Sequence, residues 1–137
     1  MATLAYRDIL RKQTQNANQH SKTVSSFSLY HRRPLVMYLT VLDNSMGSVL
    51  GQHDESGRKE HVIYYLSKKF TDCETRYSLL EKTCCTLVWA ACRLRQYMLT
   101  HTTLLISKMD PIMYIFEKPS LSGRIARWQM ILTEYDI

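Results

Sequence analysis

Several features that place a protein outside the cell or in a membrane are missing from this sequence. No apolar run approaches the roughly 20 residues that a membrane-spanning helix needs, so we expect no membrane partner. The first residues lack the pattern of a secretory signal peptide. The four cysteines, at positions 73, 84, 85 and 92, form no C-x-x-C pair and fall in a helical pattern. This usage predicts a reducing, intracellular compartment, and we expect a cytoplasmic location. Cys84, Cys85 and Cys92 are expected to be core residues.

Acidic residues are scarce in the first 33 positions. This segment carries six Lys and Arg residues against a single acid, Asp8, and so accounts for +5 of the net charge of +6. The composition predicts a flexible basic leader over residues 1–33; an organelle transit peptide or a short docking helix at 4–12 would fit it too. Residues 34–137 carry 12 basic and 11 acidic groups. A nucleic-acid surface on that part therefore requires local clusters of basic residues.

Residues from Pro34 onward have the pattern of one folded domain that begins with three strands. The stretch "LVMYLTVLD" is apolar on both faces, which predicts a central strand. By the two-residue period of a strand, Leu35, Met37 and Asp43 are expected on one face. Turn residues "NSMG" follow, and then strands "SVLGQ" and "HVIYYLS". The short connections predict an antiparallel meander.

The second half of the domain alternates helices with one strand. "TDCE" at 71–74 is a capping box, and the apolar spacing after it predicts one long helix over residues 72–99. "TTLLIS" is a fourth strand, expected to lie parallel to an earlier one because it follows a helix. Asp110 is expected to cap a helix that has Pro111 at its first position. "SGRIARWQMILTEY" predicts another amphipathic helix, and "YDI" the start of a strand. The fold class is α/β with a mixed sheet.

Four blocks in this order resemble a known family. They are "LDNSMGSVLGQ", "YYLSKKFTDCETRYSLLEKT", "LRQYMLTHTTLLIS" and "GRIARWQMILTEYDI". Together they resemble the RNase H domain that follows the reverse transcriptase in the Pol polyprotein of gypsy-class LTR retrotransposons, with plant elements as the nearest look-alikes. The resemblance covers residues 34–137 and implies an RNase H-like fold whose last strand is truncated; residues 1–33 do not look like part of it.

The resemblance implies a ribonuclease that cuts the RNA strand of an RNA–DNA hybrid with two divalent cations. Two such cations need several converging carboxylates, and Mg²⁺ or Mn²⁺ would be the cofactor of an active enzyme. Asp43, in the family's Asp-x-Ser-x-x-Gly pattern, is similar to the first ligand position, and Glu81 in "YSLLEK" to the second. Taken alone, Asp43 is equally well a turn aspartate and Glu81 an exposed helix residue.

The third ligand position breaks the family pattern. The family reads Thr-Asp-His, a variable residue, Pro and Leu at the end of the fourth strand. Counting back from Pro111 places Lys108 where the ligand aspartate belongs, and Asp110 at the variable position. The fourth carboxylate would lie beyond residue 137. An ammonium group there would pair with Asp43 and Glu81 and repel a dication, so our hypothesis is that Lys108 is a fixed counter-charge in the place of a metal. The alternative is a surface lysine at a strand end, and in either case we expect no cofactor.

Three functions are open on these residues. The first is a degenerate, non-catalytic module that supports reverse transcription by a structural role or by holding the hybrid. The second is an active ribonuclease H that uses Asp43, Glu81 and Asp110, and the third is a gene-fragment product without function. The expected partners are an RNA–DNA hybrid or the reverse transcriptase domains of the parent polyprotein; the oligomeric state is open. A weak candidate surface for nucleic acid consists of the basic residues Lys68, Lys69, Arg76, Arg93 and Arg95.

Overall fold

The protein is a mixed β-sheet with helices packed on one face. The structure is a computed structural model that describes residues 21–23, 33–54, 56–117 and 123–137. Its five strands are β1 (Ser21–Thr23), β2 (Leu35–Val41), β3 (Ser45–His53), β4 (Glu60–Lys69) and β5 (Thr103–Ile106). They lie in the order β1-β4-β3-β2-β5, and every pair is antiparallel except β2 with β5. The predicted meander and the parallel strand after the long helix are thus confirmed.

Three residues of the segment predicted as a leader belong to this sheet. Ser21–Thr23 pair with Tyr64–Leu66 on the outer edge of β4. Residues 1–20 and 24–32 lie outside the described residues, so the leader remains a prediction there.

A tight connection joins β2 to β3 and sets where each strand stops. The Leu42 amide donates to the Ser45 carbonyl, at 2.8 Å. Strand β2 therefore ends at Val41, and β3 begins at Ser45, three residues before the predicted "SVLGQ". The prediction that Asp43 lies on the same face of the strand as Leu35 is wrong, because the strand has ended before Asp43.

The predicted helix over 72–99 is also wrong, since two capping motifs divide it. Thr71 and Glu74 form the predicted capping box, with an amide-to-carboxylate bond of 2.8 Å, but it opens only a 3-10 turn over Glu74–Arg76. Tyr77 is extended, at ψ 149°, and Ser78 caps a new helix by accepting the Glu81 amide at 3.2 Å. The helices are α1 (Leu79–Arg93), α2 (Arg95–Met98), α3 (Pro111–Glu117) and α4 (Gly123–Leu132).

The two faces of the sheet are unequal. Leu35, Met37 and Leu39 of β2 pack with the helices in the main hydrophobic core, to which α1 contributes Cys84 and Leu87. The opposite face carries a smaller cluster built on Val36, Tyr38 and Val49. The amphipathic helix predicted over "SGRIARWQMILTEY" is present as α4, with Ile125, Trp128 and Leu132 buried and Ile131 partly buried against the core. No helix in the described ranges is long and apolar enough to cross a membrane.

The sequence predicts that "YDI", residues 135–137, begins a strand, and the structure assigns no strand there. They are nevertheless attached to β5. The Thr103 amide donates to the Asp136 carbonyl at 2.8 Å, and the Thr102 hydroxyl donates to the Asp136 carboxylate at 2.6 Å. One backbone hydrogen bond is too few to make a strand pair, but it fixes this segment beside the start of β5.

Candidate active site

A cavity of about 460 Å³ lies where β2 and β5 end beside the first turn of α1. The two strands are parallel neighbours, with Tyr38 opposite Ile106 in register. Their carboxyl ends therefore open at the same edge of the sheet, which is where open α/β sheets bind ligands. This is also the place where the resemblance to RNase H domains locates the metal ions.

Lys108 is the charged residue that lines this cavity. Its other polar lining residues are Thr40, Thr83 and Ser107, and none of the lining residues is acidic. Thr40 lies in β2, two residues after the last registered pair, Tyr38 and Ile106, whereas Lys108 follows the end of β5. Lys108 is exposed, and no hydrogen bond or ion pair engages its ammonium group within the described ranges.

Asp43 lies outside the cavity lining, in the turn beyond β2. Its backbone carbonyl accepts a hydrogen bond from the ammonium group of Lys82, at 2.9 Å. The side chain is exposed, and no partner of its carboxylate is found in the described part of the chain. The residues of β2 that line the cavity with Lys108 are Leu39, Thr40 and Val41, and none of them can supply a negative charge.

Glu81 is held by groups of its own helix and of α4. Its carboxylate accepts from the Ser78 hydroxyl at 3.1 Å and forms an ion pair with Arg124. The guanidinium of Arg124 also stacks over two aromatic rings, 4.3 Å from the centroid of Tyr77 and 5.5 Å from that of Trp128. A cation that bound Glu81 would have to displace a guanidinium that is fixed by three contacts.

Asp110 has the capping role that the sequence predicts. Its carboxylate accepts from the Met113 amide at 3.0 Å at the start of α3. It lines a second cavity, of about 370 Å³, which Lys108 and Ile137 also border. Lys108 therefore stands between the two cavities, and Asp110 lines only the second.

Cys84 is buried, as the sequence predicts, whereas the prediction that Cys92 is a core residue is wrong because its side chain is exposed. Burial raises the pKa of the Cys84 thiol to about 12, and the carboxylates of Glu81 and then Asp110 add to the rise. The thiol donates to the Pro111 carbonyl at 3.8 Å. Glu81 and Asp110 thus approach a buried thiol in the core.

The residues present do not fit a two-metal centre. Mg²⁺ prefers several hard oxygen ligands, and a pair of dications needs carboxylates from several elements. Among the residues with described positions, no three His, Cys, Asp or Glu side chains come close enough to hold a metal ion. Within the described ranges Lys108 forms no ion pair with Asp43 or Glu81, and Glu81 is paired with Arg124 instead.

The basic residues proposed for nucleic-acid binding divide into two groups. Lys68, Lys69 and Arg76 lie at the end of the sheet that carries the cavity, because Lys69 pairs with Ser45 next to the β2–β3 turn. Arg93 and Arg95 lie at the far end of α1, whose 15 residues span about 22 Å. Arg95 is also paired with Glu134. The five residues therefore do not form one surface.

Two residues of the site were missed by sequence reasoning. Thr40 lies near the carboxyl end of β2, and only the parallel pairing of β2 with β5 brings it into the cavity that Lys108 lines. Arg124 follows a glycine at the start of its helix and lies four residues before Trp128, a spacing that places both side chains on one face. Nothing local in the sequence marks it as the partner of Glu81, 43 residues away.

Comparisons with known proteins agree with this fold. The family model described as an RNase H-like domain found in reverse transcriptase matches residues 30–135. The retrovirus-related Pol polyprotein from transposon 297 of Drosophila melanogaster is 30% identical over 91 residues, which is 66% of this chain and 8% of the relative. The corresponding polyprotein from transposon opus is 24% identical over 93 residues, 67% of this chain and 9% of the relative. The chain thus spans less than a tenth of the curated relatives it matches.

Solved structures of similar fold come from foamy virus. The protease-reverse transcriptase in complex with double-stranded DNA has a TM-score of 0.62 at 21% identity, covering 77% of this chain and 22% of that one. The same protein in complex with an RNA/DNA hybrid has a TM-score of 0.56 at 22% identity, covering 74% and 14%. The predicted RNase H-like fold is confirmed. Because the family match extends over most of the sequence, this chain belongs to the RNase H-like domains found in reverse transcriptase.

Proposed function

We propose that this chain is a non-catalytic RNase H-like module from the Pol polyprotein of a gypsy-class, plant-type LTR retrotransposon, and that it supports reverse transcription by a structural role. The observation that carries the proposal is the cavity at the ends of β2 and β5, which presents Lys108 and no acid among its lining residues. An ammonium group repels a dication through the same Coulomb interaction by which a carboxylate would attract it.

The states of the remaining acids support the same conclusion. Glu81 is neutralised by Arg124, Asp110 is engaged as a helix cap, and Asp43 lies beyond the strand that borders the cavity. A hydrolytic step would need two cations placed on either side of one phosphate. One acid paired with a guanidinium, one that caps a helix and one outside the cavity lining do not provide that arrangement.

A cleavage assay tests the proposal. The 137-residue chain is incubated with a labelled RNA–DNA hybrid and either Mg²⁺ or Mn²⁺, and an Asp43→Asn variant purified in the same way serves as control. We expect no cleavage that depends on both the metal and Asp43, because any background nuclease would act equally in the two preparations. Metal-dependent cutting by the parent chain that is lost in the variant would overturn the proposal in favour of an active ribonuclease H.

Calorimetric titration with the same cations gives an independent readout. We expect weak, non-stoichiometric binding of Mg²⁺ and Mn²⁺, since neither cavity gathers several carboxylates. Tight binding of two ions per chain would contradict this expectation even if no substrate were cut.

The structural role has two expected partners, an RNA–DNA hybrid or other domains of the polyprotein. Hybrid binding would be metal-independent and would weaken steeply with salt, because it would rest on cations such as Lys68, Lys69 and Arg76. Fluorescence anisotropy with a labelled hybrid, in the presence of a chelator and at two salt concentrations, measures this directly. An Arg93→Met variant is the matched control for substitutions of Lys68 or Lys69, since Arg93 lies at the other end of α1.

A further inference from the structure

The cavity that carries Lys108 is largely apolar. Six of its lining residues are Leu39, Val41, Leu42, Leu79, Ile106 and Met109. Its volume of about 460 Å³ falls within the range of ordinary ligand sites, which are mostly apolar with a few polar groups that orient the ligand. The site is therefore suited to an apolar group that meets one positive charge.

Exposed apolar side chains converge on its rim. Leu42 is 41% exposed, Leu79 is 56% exposed and Ile106 is 47% exposed, and each comes from a different element. A single exposed leucine is ordinary on a protein surface, but several around one cavity mark an interaction site. Covering these three side chains would remove apolar surface from water at about 25 cal/mol per Å².

The charge of the cavity selects among possible occupants. The Lys108 ammonium has no ion-pair partner within the ranges that the structure describes, while its stem borders apolar walls. A phosphate of a nucleic acid could meet the charge, but a sugar-phosphate backbone has no apolar group to fill the cavity.

We propose that this cavity is a docking pocket for a polypeptide segment that inserts an aliphatic side chain and places a neighbouring carboxylate against Lys108. The inference rests on the proposed non-catalytic role and names the partner of the same site. If the segment belongs to another domain of the same polyprotein, the covalent link keeps it at high effective concentration near the pocket. Modest affinity between the isolated segment and this chain would then suffice.

The experiment is a titration of the isotope-labelled 137-residue chain with short peptides, followed by amide NMR signals. The probe is the capped peptide Gly-Asp-Leu-Leu-Asp-Gly, and the comparison peptide has Asn in place of both Asp residues. We expect signals of Leu42, Leu79 and Lys108 to shift with both peptides, and the acidic peptide to bind about two- to fivefold more tightly, as expected for one exposed ion pair.

Variants separate the two parts of the pocket. Lys108→Met should lower the affinity for the acidic peptide to that for the Asn peptide, whereas Lys69→Met, a matched exposed lysine outside the lining, should not. Leu79→Ser should weaken both peptides. Leu99→Ser should weaken neither, because Leu99 is also exposed (47% against 56% for Leu79) but lies outside the lining. All four positions are on the surface, so the variants are expected to fold.

Three outcomes would overturn the inference. The first is equal binding of both peptides with no effect of Lys108→Met. The second is the absence of signal shifts around the cavity. The third comes from a parallel titration with hexanoate, if hexanoate causes signal shifts that neither peptide reproduces. The last would identify a pocket for small carboxylates rather than for a polypeptide. None of these outcomes affects the cleavage assay, so failure of the docking pocket is distinguishable from failure of the non-catalytic role.

Discussion

Replacement of Gly51 by alanine should destabilise the protein although the new side chain is a single methyl group. Gly51 lies in β3, where the pairing with β4 shifts register between Leu50 and Gly51. A Cβ atom at this position would lie 2.9 Å from a carboxylate oxygen of Glu60 and 3.1 Å from the carbonyl oxygen of His61. The other oxygen of Glu60 accepts from the Tyr38 hydroxyl at 2.8 Å. The side chain of Glu60 thus crosses over Gly51 to reach β2.

The expected cost follows from these contacts. Moving Glu60 aside would break a hydrogen bond to a charged acceptor, which contributes about 1.5–3 kcal/mol. The backbone carbonyl of His61 would remain too close, and overpacking of this kind costs about 1–3 kcal/mol. Alanine regains about 0.4–1 kcal/mol by restricting the unfolded chain. We therefore expect Gly51→Ala to lower the free energy of unfolding by about 2–4 kcal/mol.

Equilibrium unfolding in urea, followed by circular dichroism and tryptophan fluorescence, measures this change. Gly123→Ala is the matched control, because nothing lies within 4 Å of its added Cβ; at the start of α4 it should be neutral or stabilising by up to about 1 kcal/mol. In a Glu60→Ala background, Gly51→Ala should cost less by roughly the value of the lost hydrogen bond. A neutral Gly51→Ala, or costs that simply add, would refute this account of the Glu60 position.

Three further predictions concern a helix cap, a carboxylate and the thiols. Asp110→Ala should destabilise the fold by about 1 kcal/mol in urea unfolding, as loss of an N-cap does, with no change in calorimetric Mg²⁺ binding. Burial opposes ionisation of Glu74, but its hydrogen bonds prevail and lower its pKa. The stability that this carboxylate contributes is therefore present above its unfolded pKa and is lost as the pH falls through its folded pKa. Glu74→Gln should make the free energy of unfolding depend less on pH in that acidic range. Burial raises the pKa of both Cys84 and Cys85 to about 12, so iodoacetamide at mildly alkaline pH should modify the exposed Cys73 far faster than either.

The strands could be predicted because their signal is local. Alternation and β-branched residues act within a few positions, and the predicted strand order of the meander follows from short connections. The helix over 72–99 failed for an equally local reason. "TDCE" and "SLLE" are both capping boxes, and either could start the helix. In the structure the backbone is extended at Tyr77, so the long helix starts at the second motif, with Ser78 as its cap. Propensity alone does not decide between two valid starts seven residues apart.

The site depends on distant pairings that the sequence does not encode locally. The extension of the β2 pattern to Asp43 failed because a turn bond at Leu42 ends the strand first. The partner of Glu81 depends on how α4 crosses α1, which is decided by core packing around Trp128 rather than by either segment alone. By contrast, the cap formed by Asp110 involves one turn of chain and was predicted correctly.

The parallel pairing of β2 with β5 also has a consequence for the order in which the chain folds. Leu35 is in register with Thr103, so this seam closes only after the whole meander and α1 have been made, whereas β2, β3 and β4 pair through short loops. Contacts of long sequence separation form late because the intervening loop must be ordered first. During synthesis, a nascent chain that has not yet emerged beyond α1 exposes the edge of β2 as an unpaired strand, and the pocket around Lys108 comes into being only with the closing step.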